Sequence, residues 1–277
     1  MPVELQTEPS TVYGPVASWR VGRSLGVDVL CVDSVCSFRC VYCQLGRINV
    51  HTAERRVYVP TERVLEDLCA ADWRGADVIT LSGSGEPTLA ANLGEVIRGI
   101  KRLTGKPVLV LTNSAHLRDA HVRRELSRAD SIFCKLDAAD EETFRRINRP
   151  AAGVTLRTTF EGIRRLRAEY TGRLGIQLML LPLNRDRAAE FAELLRCLRP
   201  DEVQLNAPRR AVPRAWSLDA RGNHAPHERA GVMLKTVSPA EAAEFEHYLR
   251  RATGLNIVSR DSAVRERTAA LGDSSHR

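Results

Sequence analysis

Residues Asp77–Asn113 read DVITLSGSGEPTLAANLGEVIRGIKRLTGKPVLVLTN. DVITL is a short apolar run, SGSGEPT a glycine-bearing loop, LGEVIRGIKRL an amphipathic segment at helical spacing, and PVLVL apolar again. Strand, loop, helix and strand in that order make a parallel βαβ unit, whose strands are apolar throughout because both sheet faces are covered. The alternation continues outward. VDVLCV (Val27–Val32), SIFCKLDA, LGIQLMLLPL and DEVQLNAP read as further strands. ERVLEDLCAA, DAHVRRELS, EETFRRIN, LRTTFEGIRRLRAEY and RAAEFAELLRCL read as helices. Six strands are too few for the eight of a closed TIM barrel. The expected fold is therefore α/β, a partial (β/α)6 TIM-like barrel over residues 27–208. Residues 1–26 read as an irregular segment. Residues 209–277 read as an irregular extension: a long loop, a helix, an edge strand from NIVSR and a frayed tail. The helix is signalled by Ser238 at the N-cap, Pro239 at the first helical position, Glu241 closing a capping box, and Gly254 at its end.

The chain has 277 residues, 43% of them hydrophobic, enough for one large domain or two small ones. No apolar leader or membrane-spanning run is present, so a cytoplasmic setting is expected, where seven cysteines serve as ligands or buried thiols. The net charge is +7 and the pI about 9.3. That charge leaves an anionic partner such as RNA open. Only four of the 41 basic residues are lysine, however, an arginine preference that fits a GC-rich coding sequence equally well.

Three of the cysteines stand together in VCSFRCVYCQLG: Cys36, Cys40 and Cys43, spaced C-x3-C-x2-C. So tight a spacing wraps three sulfurs about one centre. Zinc takes four ligands, and the fourth would have to come from Cys31, His51 or farther away, with no second C-x2-C pair to supply it. An iron–sulfur cluster suits the triad better. The other four cysteines, Cys31, Cys69, Cys134 and Cys197, are scattered singly and read as core thiols rather than ligands of a second cluster. His224 and His227 read as surface residues.

The triad, with Tyr42 just before its last cysteine, resembles the radical S-adenosylmethionine (radical SAM) enzymes. VYGPVASWRVGRSLGVD, CSFRCVYCQLG, LSGSGEPTL and KLDA together resemble a subgroup of small radical SAM proteins related to the wybutosine-synthesis enzymes, over about Tyr13–Pro208. The resemblance implies a [4Fe-4S] cluster held by Cys36, Cys40 and Cys43, its fourth iron chelated by S-adenosylmethionine. It implies an electron donor of the flavodoxin or ferredoxin type, and reductive cleavage of the cofactor to methionine and a 5′-deoxyadenosyl radical that abstracts a substrate hydrogen.

The resemblance also carries site roles. SGSGEPT is neither a Walker loop nor a dinucleotide fingerprint. In the family the equivalent loop binds the cofactor's amino group, which assigns Ser84, Gly85 and Glu86, with Ser84 where many members have glycine. Ligands of such barrels sit at the C-terminal ends of strands. Those ends present Asn113, Ser114, Lys135, Asp137, Leu181, Pro182, Asn184 and Asn206. By resemblance Asn113, Ser114 and Asp137 serve the ribose or methionine carboxylate, Leu181 lines the adenine, and Tyr42 borders the cofactor. The residues themselves leave helix capping open as the role of the Asn, Ser and Asp. Lys135, inside an apolar strand, is expected to pair with a carboxylate, Glu86 or the ligand's. A Schiff-base role is the catalytic alternative.

Two departures concern the substrate. The opening VASWRVG carries Ala17 and Trp19 at changed places, and NAPRRAVPR replaces the usual end of the last barrel strand. Arg20, Arg209, Arg210 and Arg214 read either as a bidentate grip on an anionic substrate or as solvated surface residues. RNA modification competes with small-molecule or peptide modification. The alternatives outside this chemistry are a zinc-containing RNA-binding protein and an electron carrier.

Overall fold

The computed structural model describes residues 8–31, 33–223 and 231–262. Its centre is one eight-stranded sheet. In chain order the strands are β1 (Val12–Ser18), β2 (Gly22–Val27), β3 (Val78–Leu81), β4 (Val108–Thr112), β5 (Ser131–Lys135), β6 (Arg173–Met179), β7 (Glu202–Asn206) and β8 (Ile257–Ser259). They lie side by side in that order. β1 pairs with β2 antiparallel, and every other pairing is parallel. The helices are α1 (Thr61–Ala70), α2 (Leu93–Thr104), α3 (Ala120–Leu126), α4 (Glu141–Ile147), α5 (Leu156–Glu169), α6 (Ala188–Leu198) and α7 (Pro239–Thr253). The sheet curls into a half-barrel: Arg20, on the turn at one edge, donates to Asn206 Oδ1 at the end of β7, 2.6 Å away.

The two faces of the sheet differ in chemistry. One parity of each strand, as in Ile79, Leu81, Val110, Ile132, Ile176 and Val203, is fully buried in the core under the helices. The other parity lines the concave side. There Val78, Leu109 and Phe133 form a separate apolar cluster. That parity also carries polar pairs: Ser24 bonds Thr80 (2.7 Å), and Gln177 bonds Gln204 (2.9 Å). A polar lumen inside a barrel whose outer face is apolar is a chamber rather than a second core.

Three expectations need correcting. Residues 1–26 are not irregular where described, since β1 and β2 form a hairpin that completes the sheet. The first parallel strand runs from Gly22 to Val27 rather than from Val27 to Val32. Asp28 ends it: its buried carboxylate accepts the Leu30 and Cys31 amides (3.0 and 3.2 Å), turning the chain. The stretch after Pro208 has short pieces of structure, a ribbon of Val212–Pro213 with Gly231–Val232 and a 3-10 turn at Leu218–Asn223. The helix signals of the extension are realised in α7, with its reciprocal Ser238–Glu241 capping box and Gly254 in the left-handed region at its end. NIVSR supplies β8, parallel to β7. His224, His227 and the final tail lie outside the described residues.

Candidate active site

The cysteine loop follows β2 and is stitched to its neighbours on two sides. Val35 forms a parallel bridge with Gly85: Val35 N–H donates to Ser84 O (2.9 Å) and Glu86 N–H to Val35 O (3.1 Å). Only glycine fits at position 85, because a Cβ there would lie 1.7 Å from Val35 O. On the other side the amides of Arg39 and Val41 donate to Asn148 O (3.0 Å) and Ile147 O (2.9 Å), satisfying carbonyls at the end of α4. Phe38 packs edge-on against Phe144 of α4, centroids 5.4 Å apart.

Within this frame Cys36, Cys40 and Cys43 are free and partly buried. Asn148 Nδ2 donates to Cys40 Sγ (3.4 Å), Phe38 N to Cys36 Sγ (3.4 Å), and Asn113 Nδ2 approaches Cys36 Sγ at 3.6 Å. Burial pushes the Cys40 thiol up to about 12, with Asp137 and Cys43 adding to it. Burial raises Cys36 well above the ordinary thiol value and raises Cys43 as well. Cys40 and Cys43 both disfavour the Cys36 thiolate, so the sulfurs feel one another. Three such thiols are stable as thiolates only with a metal centre among them. No three His, Cys, Asp or Glu side chains among the described residues already form a metal-binding group. The fit rests instead on the donor set, on N–H groups directed at its sulfurs, and on a buried polar atom beside Cys40 with no partner, Asn148 Oδ1. The alternative zinc ligands point elsewhere: Cys31 Sγ meets Arg221 Nη1 (3.2 Å), and His51 Nε2 meets Ser37 O (3.3 Å).

Asp137 joins the loop to the strand ends. Its fully buried carboxylate accepts from Tyr42 Oη, Asn148 Nδ2 (2.8 Å) and the Met179 amide (2.8 Å), and pairs with Lys135 Nζ (2.9 Å). Lys135 also lies 5.1 Å from the Tyr42 ring centroid. The carboxylate partner of Lys135 is thus Asp137 and not Glu86. The two share parity on one strand, whereas Glu86 is committed elsewhere. Glu86 Oε1 accepts from Thr88 N (3.1 Å), Thr88 Oγ1 (2.6 Å) and Thr112 Oγ1 (2.6 Å), and Oε2 from Asn113 N (2.6 Å). The Ser84 hydroxyl is spent on Asp28 Oδ2 (2.6 Å).

The capping alternative does not describe Asn113, Ser114 or Asp137. The N-caps of α3 and α4 are Asp119 and Asp140. Asn113 instead donates to Ser37 Oγ (2.9 Å) in the cysteine loop. Ser114 is a non-glycine residue at φ 72°, its side chain buried. Leu181 is buried, its amide held by Asn184 Oδ1 (2.8 Å). Asn184 in turn donates to Asp137 O (2.8 Å) and Met179 O (2.9 Å). Asn148 and Thr112 were not singled out by the sequence. Asn148 lies on no strand end, and Thr112 precedes the residue that was read as one.

A cavity of about 990 Å³ opens on the concave face, and Tyr42, Cys43, Lys135, Gln177 and Met179 contribute to its wall. One cysteine of the triad therefore borders the chamber. Among the scattered cysteines Cys31 and Cys134 are buried as expected, but Cys69 and Cys197 are exposed on the outer faces of helices α1 and α6 and are not core thiols.

Residues 32–195 match the family model described as the radical SAM superfamily. The chain belongs to this superfamily. It is 51% identical over 222 residues, 79% of this chain and 83% of the relative, to a UPF0026 protein of Synechocystis. It is 33% identical over 203 residues, 71% of this chain, to a UPF0026 protein of Methanocaldococcus jannaschii, of which it spans 63%. The fold is shared with Streptococcus suis SuiB bound to its precursor peptide SuiA (TM-score 0.61, 15% identity, 85% of this chain and 48% of that one). It is shared also with TYW1 carrying a lysine–pyruvate adduct (TM-score 0.58, 16% identity, 83% and 73%). As a radical SAM enzyme the protein uses a [4Fe-4S] cluster and S-adenosylmethionine, and needs a reductant and a substrate. No described helix is long and apolar enough to cross a membrane.

Proposed function

We propose that Cys36, Cys40 and Cys43 hold the cluster, that the strand ends beside them hold S-adenosylmethionine, and that the substrate is processed in the half-barrel chamber. The observation that carries this reading is the continuous hydrogen-bonded path from the cysteine loop through Tyr42, Asn148 and Asp137 to the chamber wall. Bound there, the two cofactors supply a one-electron cleavage that yields methionine and a 5′-deoxyadenosyl radical able to abstract a substrate hydrogen.

The protein's own residues hold this in place. Asn148 and Asn113 donate N–H groups toward the Cys40 and Cys36 sulfurs, which favours their thiolates. Ser84 and Glu86, whose side chains are tied to Asp28 and to Thr88 and Thr112, fix the shape of loop 82–88. That loop then meets the cofactor's ammonium through its backbone, with Gly85 allowing the close approach. Asn113 and Ser114 border the cofactor's polar end, and Leu181 backs the adenine. Lys135 Nζ is paired with Asp137 and lies over the Tyr42 ring, so its side chain is committed to that pair at the chamber wall rather than free to act as a nucleophile. The curled sheet walls the chamber on one side, and the bound substrate and cofactor complete the enclosure that a radical needs against side reactions. A small acidic donor of the flavodoxin or ferredoxin type suits the basic chain. A reducing cytoplasm suits seven unpaired cysteines.

Anaerobic reconstitution with iron and sulfide, followed by dithionite and S-adenosylmethionine, tests the reading. The expected product is 5′-deoxyadenosine. A fully loaded wild-type protein that releases none refutes it.

A further inference from the structure

The chamber is more basic than its cofactors require. Its described wall carries five arginines and one lysine against three carboxylates. The carboxylates are already engaged. Asp261 is held by Arg209 Nη2 (2.6 and 2.7 Å), Glu246 by Arg250 (2.7 Å), and Asp77 by the Arg23 amide (2.7 Å). Lys135 is matched by Asp137.

Three other arginines of the wall come from three separate segments. Arg20 stands on the β1–β2 turn, Arg210 follows β7, and Arg260 follows β8. All three line the same cavity, and Arg260 lies within electrostatic reach of both Arg20 and Arg210. The positive charge of Arg260 opposes protonation of both Arg20 and Arg210, in each case after burial as the larger cause. Arg20 is held in place from two sides. Its Nη2 donates to Asn206 Oδ1, and its guanidinium lies 4.8 Å from the Trp19 ring centroid. Its Nε is buried without a partner. The carboxylate acting on Arg20, Glu202, is itself bound by Arg173 (2.5 Å) and Gln204 (2.7 Å). Like charges gathered in a partly dry cavity repel and lose hydration, a cost that an anion among them offsets.

We propose that Arg20, Arg210 and Arg260 form an oxyanion subsite that binds the substrate of this chamber by a phosphate or carboxylate group. The inference rests on the reading above that the chamber holds the substrate. Guanidinium forks match both anions bidentately. The cavity, about 990 Å³, is of the size that takes a small molecule, so the anion belongs to a small metabolite-sized compound rather than to a polymer lying along the surface. Trp19 and the residues after Pro208 are thereby the elements that shape this subsite.

The test is calorimetric titration of the full chain with inorganic pyrophosphate and, separately, citrate, at about 150 mM salt, where diffuse surface charge is largely screened. Saturable binding of at least one anion is expected, and the preferred one tells phosphate from carboxylate. Arg20→Gln and Arg260→Gln should each weaken it about tenfold or more, as loss of a charged hydrogen-bonding partner predicts. Arg260→Lys should weaken it too, because lysine keeps the charge but loses the fork. Arg214→Gln, at an exposed arginine outside the cavity wall, should change nothing. Absence of saturable binding to both anions overturns the inference. So does equal weakening by Arg214→Gln, or displacement of the anion by a single-stranded RNA whose own affinity ignores Arg20 and Arg260. Anion binding needs neither cluster nor cofactor. Release of 5′-deoxyadenosine without anion binding removes the subsite alone, whereas anion binding without 5′-deoxyadenosine keeps the subsite and removes the catalytic reading.

Discussion

Gly85→Ala is the sharpest probe of how the cofactor loop and the cysteine loop depend on each other. An alanine Cβ would sit 1.7 Å from Val35 O and 2.5 Å from Val35 C, both backbone atoms that no side-chain rotation can remove. The two strands of chain must separate. The Val35–Ser84 and Glu86–Val35 hydrogen bonds (2.9 and 3.1 Å) then go together. Two backbone bonds at about 1 kcal/mol each, plus about 1–3 kcal/mol for forced backbone movement, give a loss of roughly 3–5 kcal/mol. In a chain of this size that lowers the melting temperature by about 6–15 °C. Val35 immediately precedes Cys36, so cluster loading should fall with stability. Iron and sulfide content after reconstitution, and melting of the apo-protein followed by circular dichroism, measure the two effects. A Gly85→Ala protein with wild-type melting and a full cluster would refute the claim that this close approach holds the site together.

The other predictions concern the same network. Replacing Cys36, Cys40 or Cys43 by alanine should abolish the cluster's visible absorbance, while Cys69→Ala and Cys197→Ala, both exposed and off the loop, should leave it intact. Asp137→Asn leaves Lys135 without its partner and turns one of the acceptors of Tyr42, Asn148 and the Met179 amide into a donor. Breaking a buried ion pair in this way costs about 3–5 kcal/mol, read as a lowered denaturation midpoint and reduced iron content. Pyruvate with cyanoborohydride should leave no adduct on Lys135 by mass spectrometry, because its Nζ is engaged by the buried Asp137 carboxylate; a modified Lys135 would reinstate the Schiff-base role. Arg221→Leu removes the side chain that ties the 3-10 turn to Asp28, Cys31 and Ser10 O. It should speed limited proteolysis after Pro208.

Strands β3 to β7 were legible in the sequence because their helix-facing parity is almost entirely apolar, so each stands out as a run, whereas VYGPVAS and GRSLGV of β1 and β2 do not. The chamber was less legible for the same reason. Runs such as VLVLT and SIFCK look uniformly apolar, and only Lys135, Gln177 and Gln204 betray the second, polar face. The first strand was misplaced because VDVLCV is apolar on either side of Asp28. The turn comes from one carboxylate taking two amides, which hydropathy does not register. Cys36, Cys40 and Cys43 declared themselves by spacing. Asn148 did not: its importance comes from α4 ending beside the cysteine loop, 108 residues away in sequence from Cys40.

Glu86 shows why naming a motif is not the same as assigning its side chains. A carboxylate in a glycine loop at a strand end invites direct contact with an ammonium. Here the same carboxylate takes four donors from Thr88, Thr112 and Asn113, so it links the end of β3 to the end of β4. Asp28 does the equivalent for β2, taking the Leu30, Cys31 and Ser84 amides, the Ser84 hydroxyl and Arg221. Asp137 does it for β5 and β6 through Lys135 and the Met179 amide. Three buried carboxylates thus tie strand ends in pairs, β2 to β3, β3 to β4 and β5 to β6, each taking at least one donor from the neighbouring element. Such fully paired networks are rigid and intolerant of partial loss. Glu86→Gln separates this account from direct contact. Glutamine can accept on one side only, so the loop should loosen and the apo-protein melt earlier, before any cofactor is added. An unchanged apo-protein melting temperature, with only S-adenosylmethionine affinity lost, would assign Glu86 to the cofactor instead.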